Sequence, residues 1–290
     1  MSQILVNGIS QGALYALLAL SFWVIFAVTR TFHLAHIAVL NVAAYVLYWV
    51  FVDLDTNIWL AIVAALGAAV ALGVLIESVI YEPIRRHGGD QLLLFLAASA
   101  LLTISQAVLA LLFQEDARGL ETTVPEPLYR AAEFTVTRYD GLIVAFAVGF
   151  GLLVWLIMSR SRWGRSMRAV QGNPELAGYF GIPVARVYRI AFALGSALLV
   201  PAVVVMALRT GVNPDLGFTP VLIAIIAVIA GGTERQSGAM LAAFALGLLE
   251  NVVLLWISAQ WQTIVTFAVL ALMLVARPSG LRAAVQTRTG

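Results

Sequence analysis

Apolar runs long enough to cross a bilayer alternate with short polar joints along almost the whole chain. Taking stretches of roughly 17 to 25 mostly apolar residues as spans, the pattern predicts helices over 4–28, 58–80, 92–113, 141–158, 190–208 and 238–256. Shorter runs cover 37–52, 219–230 and 263–276. The run 219–230 is the weakest, because a helix of that length reaches only roughly 18 Å against a hydrocarbon core of about 30 Å. It follows Asn213-Pro214-Asp215-Leu216-Gly217 and precedes Gly231-Gly232. A broken or re-entrant helix is expected there, with irregular backbone of the kind tolerated only against protein or a watery cavity. The fold class is therefore all-α: a polytopic membrane protein of eight or nine transmembrane helices, one short or broken. With no linker, composition shift or internal repeat, 1–290 reads as a single transmembrane domain.

Two polar joints are long. The first, 114–140, has strand-like composition at 122–124 and 134–137, with Pro125 and Pro127 breaking the segment between them. The second, 160–189, carries Arg160, Arg162, Arg165, Arg168, Arg186 and Arg189 against a single acid, Glu175. Inside it, Asn173 is placed to cap a helix, Pro174 to occupy its first position, Glu175 to sit in its first turn and Gly181 to end it. Leu176, Tyr179 and Phe180 fall close to one side of that short helix, so it offers an apolar face outside the bilayer. The face suits either a headgroup-level connector or a dock for a cytoplasmic partner.

Composition narrows the classes. The chain is 62% hydrophobic and 11% charged, more apolar surface than a soluble domain can hide. All 17 basic residues are Arg. Without Lys there is no G-x-x-x-x-G-K-[ST] phosphate loop, so any nucleotide-driven work belongs to another chain. Absence of Cys removes disulfides, thiol ligands and a Cys nucleophile. Alternating the spans from an external N-terminus puts 13 Arg on the inner side and 4 on the outer, the asymmetry of the positive-inside rule. The Arg-rich loop is then cytoplasmic and the first span a retained helix. The basic pI reflects that topology, and no nucleic-acid partner is implied.

Polar groups inside spans are costly and so informative. Asn7, Gln11 and Tyr15 form one helical stripe, beside Gly8 and Gly12 at the spacing that lets helices touch. Asn41 and Tyr45, the face of Ser99, Thr103 and Gln106, and Glu250 with Asn251 repeat the theme. These stripes either line a solute path or bond helix to helix. Glu250 stands apart, since an acid in an apolar helix must be paired, protonated or wet. Three motifs lead nowhere. Gly8-Ile9-Ser10-Gln11-Gly12 fits a nucleophile elbow by letters but lies in an apolar helix with no sheet beneath. His33 and His36 lack further ligands for a metal. Glu77 and Glu82 sit near Arg85 and Arg86 as an interfacial ion-pair set. No catalytic residue, metal site or cofactor is expected on this chain.

Several of these stretches together resemble a family. Trp163-Gly164-Arg165-Ser166-Met167-Arg168-Ala169, Gln171-Gly172-Asn173-Pro174-Glu175-Leu176-Ala177 and Phe180-Gly181-Ile182 are similar to the cytoplasmic loop of permeases of branched-chain amino acid ABC importers. The opening Asn7-Gly8-Ile9-Ser10-Gln11-Gly12-Ala13-Leu14-Tyr15, the basic loop at 77–86, Val228-Ile229-Ala230-Gly231-Gly232 and Arg277-Pro278-Ser279-Gly280-Leu281 agree, in order and nearly end to end. The chain departs from the family pattern at Thr31-Phe32-His33-Leu34-Ala35-His36-Ile37-Ala38, where Ile37 and Ala38 replace a Gly and an acid.

The resemblance implies an inner-membrane permease for branched-chain or related apolar amino acids, amides or carboxylates. Its implied partners are a second homologous permease, two cytoplasmic ATP-binding subunits, an external solute-binding protein and membrane lipid. Candidate path residues are Asn7, Gln11, Tyr15, Asn41, Tyr45, Gln106 and Glu250. Candidate coupling residues are Arg165, Arg168, Asn173, Pro174, Glu175, Leu176, Tyr179, Phe180 and Gly181. The rival reading is a self-contained secondary transporter or channel, which calls for charged coupling groups at the midplane and internal symmetry; an intramembrane enzyme lacks a catalytic set.

Overall fold

The computed structural model describes residues 2–114, 118–120, 127–130, 134–256, 258, 261, 264–265, 268–269 and 271. Seven helical stretches among them are long and apolar enough to cross a membrane. They run through α1 (Ser2–Thr29), α2 (His36–Tyr48), α3 (Ile58–Leu75), α4 (Glu82–Arg86), α5 (Gln91–Phe113), α6 (Arg138–Arg160), α9 (Val184–Thr210) and α11 (Gln236–Val253). The short run at 37–52 proves to be a full span, because a π-helical turn at Trp49–Asp53 extends α2 without a break. A second π-helical turn, Ile76–Tyr81, joins α3 to α4 in the same way. The short helix α10 (Phe218–Gly231) is the eighth apolar helix among the described residues; its 14 residues reach about 21 Å. The run at 263–276 lies largely outside them.

Two further helices, α7 (Arg162–Gly172) and α8 (Pro174–Tyr179), fill the Arg-rich joint. In the other long joint, β2 (Thr135–Thr137) falls where strand composition predicts it, whereas 122–124 is outside the described residues. A correction is needed beside it. Pro127 does not break the segment but opens β1 (Pro127–Arg130), which pairs antiparallel with β2. A proline is admissible as the first residue of a strand, where its missing N–H is not needed.

Two compact units emerge. The first comprises Met1–Trp23, Thr123–Gly151 and Pro220–Gly290. Within it α1 and α11 cross at backbone contact: a Cβ on Gly12 would lie 2.7 Å from the Phe244 carbonyl, and one on Gly247 would lie 2.5 Å from the Gly12 Cα. Small residues let helices approach this far, so the G-x-x-x-G of the opening helix has found its partner. Gln3 ties the hairpin to the start of α1, its Oε1 accepting from the Thr135 N–H at 2.8 Å.

The second unit comprises Val24–Thr122 and Leu152–Thr219. Its centre is α2, α3 and α9. Ala61, Ala65, Ala69 and Gly73 recur every fourth position and make the buried stripe of α3, and Gly73 meets Ser196 of α9 directly. The rest of α3 is largely exposed apolar surface, Trp59, Leu60 and Val63 included. Such a face needs lipid or another apolar chain against it. At the basic end, Arg85 pairs with Glu77 and Arg86 with Glu82, while Arg189 lies 3.9 Å from Glu82. The ion-pair set expected there is thus formed.

Candidate functional site

The Arg-rich joint folds as its local signals dictate. Ser161 caps α7, accepting from the Gly164 N–H at 2.9 Å. Gly164 sits where any Cβ would strike the Ile157 carbonyl and Met158, so α7 turns back hard against the end of α6. Met167 and Val170 are buried beneath α7, leaving Arg165 and Arg168 exposed. Asn173 is extended, and its side chain accepts from the Leu176 N–H at 2.9 Å. Pro174 follows at the first helical position and Glu175 in the first turn, facing the N-terminal dipole. The helix closes at Gly181, whose φ of +79° is left-handed. Ala177 anchors α8 inward, while Leu176, Tyr179 and Phe180 are 52%, 80% and 80% exposed. Three large apolar groups therefore stand free on a capped, rigid helix.

The polar stripes divide by partner. On α1, the Tyr15 hydroxyl donates to Glu250 Oε2 at 2.7 Å with both side chains buried, and Gln11 reaches the same phenol. Asn251 spends its amide on the Gly247 carbonyl at 3.0 Å. Asn7 is exposed and accepts from Gln3 at 2.8 Å. On α5, Ser99 and Thr103 turn their hydroxyls back onto their own helix, as such residues do in helix interiors. Gln106 instead reaches across, donating to Asp215 Oδ1 at 2.7 Å.

That contact opens a second polar place. Asn41, fully buried, donates to the Pro214 carbonyl at 2.6 Å and accepts from the Gly217 N–H at 2.9 Å, so both ends of its amide hold the turn at 213–217. A cleft of about 600 Å³ lies beside the turn, lined by Thr103, Gln106, Ala107, Ala110, Asn213, Pro214 and Asp215. Tyr45 packs its ring 4.7 Å from that of Phe113, and its buried hydroxyl has no partner. Arg118 is clamped to Val212 by two backbone hydrogen bonds of 2.9 and 2.8 Å. Neither Arg118 nor Asp215 was singled out by its place in a span. Asp215 sits in the Asn-Pro turn before the short helix, the one sequence signal that pointed to irregular backbone at this spot.

The segment that departs from the family pattern is interior. His33 is fully buried, its Nδ1 2.9 Å from the Tyr81 hydroxyl and its ring 4.8 Å from that of Phe192. Burial, reinforced by the neighbouring His36, holds the His33 imidazole well below its ordinary range. It is a neutral packing group at physiological pH.

Long apolar helices closed by glycine crossings, with sparse polar groups inside and an Arg-rich surface joint, define a polytopic membrane protein. The profile of the family described as "Branched-chain amino acid transport system / permease component" matches residues 4–274. The chain belongs to this family. It is similar to the high-affinity branched-chain amino acid transport system permease protein BraD of Pseudomonas aeruginosa, at 29% identity over 295 residues, 96% of this chain and 94% of the relative. It is also similar to the corresponding LivH permease protein of Escherichia coli K12, at 28% identity covering 95% of this chain and 93% of the relative. A chain from the solved structure "PsaBC from Streptococcus pneumoniae in complex with Fab" covers 94% of this chain and 87% of its own at 15% identity and a TM-score of 0.44, too loose a likeness to bear on function. The protein is a multi-pass translocation component of an ABC-type transport system, and not itself an enzyme.

Proposed function

We propose that this chain is the permease half of an ATP-driven importer for branched-chain or related small apolar amino acids, working in the bacterial inner membrane. The whole of 1–290 acts as one permease domain beside a second, homologous permease. Two cytoplasmic ATP-binding subunits drive it, and an external binding protein delivers the solute. The N-terminus lies outside and the Arg-rich joint inside, in keeping with the Arg asymmetry. Names of the relatives support the amino-acid substrate, BraD and LivH both being described as branched-chain amino acid permeases.

One observation carries the coupling role: α8 holds Leu176, Tyr179 and Phe180 exposed on a helix fixed at both ends by Asn173 and Gly181. An apolar helix face laid into a groove is a common recognition mode, and Arg165 and Arg168 on α7 add positive charge close by. A chain with no phosphate loop needs its motion delivered through such an element. Replacing Tyr179 and Phe180 together by Glu is expected to leave membrane insertion intact and to lower ATP-driven uptake at least tenfold. Unchanged uptake by that variant would reject the docking role.

A further inference from the structure

Arg85, on α4, touches two other elements of the second unit. It pairs with Glu77, a carboxylate buried completely in the π-helical turn that continues α3. Its guanidinium also stands over the ring of Tyr188 on α9, 4.8 Å from the ring centre. Beside Tyr188, Arg189 lies 3.9 Å from Glu82 of α4. The start of α9 is thus gripped from the α3 side.

That same end of α9 is joined rigidly to α8. In the corner at 180–183 the Gly181 N–H donates to the Gly178 carbonyl at 2.9 Å and the Ile182 N–H to the Ala177 carbonyl at 3.0 Å. The Pro183 carbonyl then accepts from the Arg186 N–H at 2.9 Å as α9 begins. With Gly181 left-handed and the proline φ fixed, the corner cannot flex without losing these bonds. A displacement of α8 is therefore passed to the first turns of α9, where Tyr188 stands.

The Glu77–Arg85 pair is a weak source of stability. Desolvation offsets most of the attraction between two buried charges, and among the described residues Glu77 Oε2 and Arg85 Nη1 have no hydrogen-bond partner. Buried ionic groups are best attested where they set a register or a switch. Glu77 occupies such a place, because the π-turn Ile76–Tyr81 competes with the ordinary α-helical register and turns of this kind recur at functional sites. A shift between the two registers rotates the helix beyond it.

We propose that Arg85 is a positioning residue that ties α8 to the π-turn of α3, holding Tyr188 by its ring and Glu77 by its carboxylate so that α9 and α3 move together. The inference rests on the coupling role given to α8 above and deepens it.

The test measures leucine uptake and ATP hydrolysis side by side in proteoliposomes holding the complete permease and ATPase complex, with leucine-loaded binding protein supplied. Tyr188→Phe keeps the ring under Arg85, and Tyr188→Leu removes it while keeping an apolar side chain. Uptake is expected to stay at the wild-type level in Tyr188→Phe. In Tyr188→Leu and in Arg85→Gln, leucine carried per ATP hydrolysed is expected to fall at least tenfold, with hydrolysis within twofold of wild type. A purely structural role would lower uptake and hydrolysis together, and an unchanged ratio in Tyr188→Leu overturns the inference even where Arg85→Gln does not assemble. Equal impairment of Tyr188→Phe and Tyr188→Leu overturns it as well. The Tyr179 and Phe180 double variant separates the two levels: unchanged uptake there, or no ATP-driven leucine uptake by wild type, sinks the reading beneath, whereas a loss there beside an unchanged ratio in Tyr188→Leu sinks only the role of Arg85.

Discussion

Two polar places in the molecule are built on opposite plans. Tyr15 and Glu250 are closed on each other, buried where α1 and α11 meet, with donor and acceptor matched. Asp215, which takes a hydrogen bond from Gln106 at 2.7 Å, is exposed and lines a cleft. The first arrangement satisfies its own groups and so holds helices together; the second keeps its acid exposed. A polar residue in an apolar helix therefore does not announce a path. Its partners decide.

The contrast is sharpest where the closed place can be broken. Gly247→Leu puts side-chain atoms against the Gly12 backbone, which has no room to move. Its expected cost is on the order of 3 kcal/mol, seen as loss of folded protein from detergent extracts. Tyr15→Phe is milder. It strips Glu250 of its buried donor and should destabilise the chain by about 1–3 kcal/mol, read as a lower melting temperature. The matching truncation in the open cleft, Gln106→Ala, should move stability by less than about 0.5 kcal/mol. Equal shifts for the two truncations would erase the distinction between closed and open.

The smallest effect comes from pH. His33 is held below its ordinary range in the folded chain, so the folded state binds fewer protons than the unfolded one below about pH 6.5. Its contribution is fully present above that value and is lost as pH falls below it. Melting at pH 7.5 and pH 5 should show the drop, and His33→Gln should show a smaller one.

Much of this was legible in the chain because the signals are local. Asn173, Pro174, Glu175 and Gly181 each act on their own backbone within a turn or two, and α8 forms where they place it. Apolar runs predict spans for the same reason. What stayed hidden depends on distant partners. Tyr15 and Glu250 are each conspicuous alone, but nothing in the sequence pairs residues 235 positions apart. Asp215 sits in a joint, where charge is ordinary, and only the Asn41 anchor on its turn and the reach of Gln106 show where it stands. The strand at Pro127–Arg130 was obscured by a proline whose meaning changes with its position in the strand.

The central claim, that force reaches this permease from the cytoplasm through α8, can be tested with one introduced thiol, because the chain has no Cys of its own. A Tyr179→Cys protein in the complete complex is treated with a membrane-impermeant maleimide, in intact cells and in inverted vesicles. Labelling should occur only in inverted vesicles, and only once the ATP-binding subunits have been stripped away. Labelling in intact cells, or labelling indifferent to those subunits, would contradict the account.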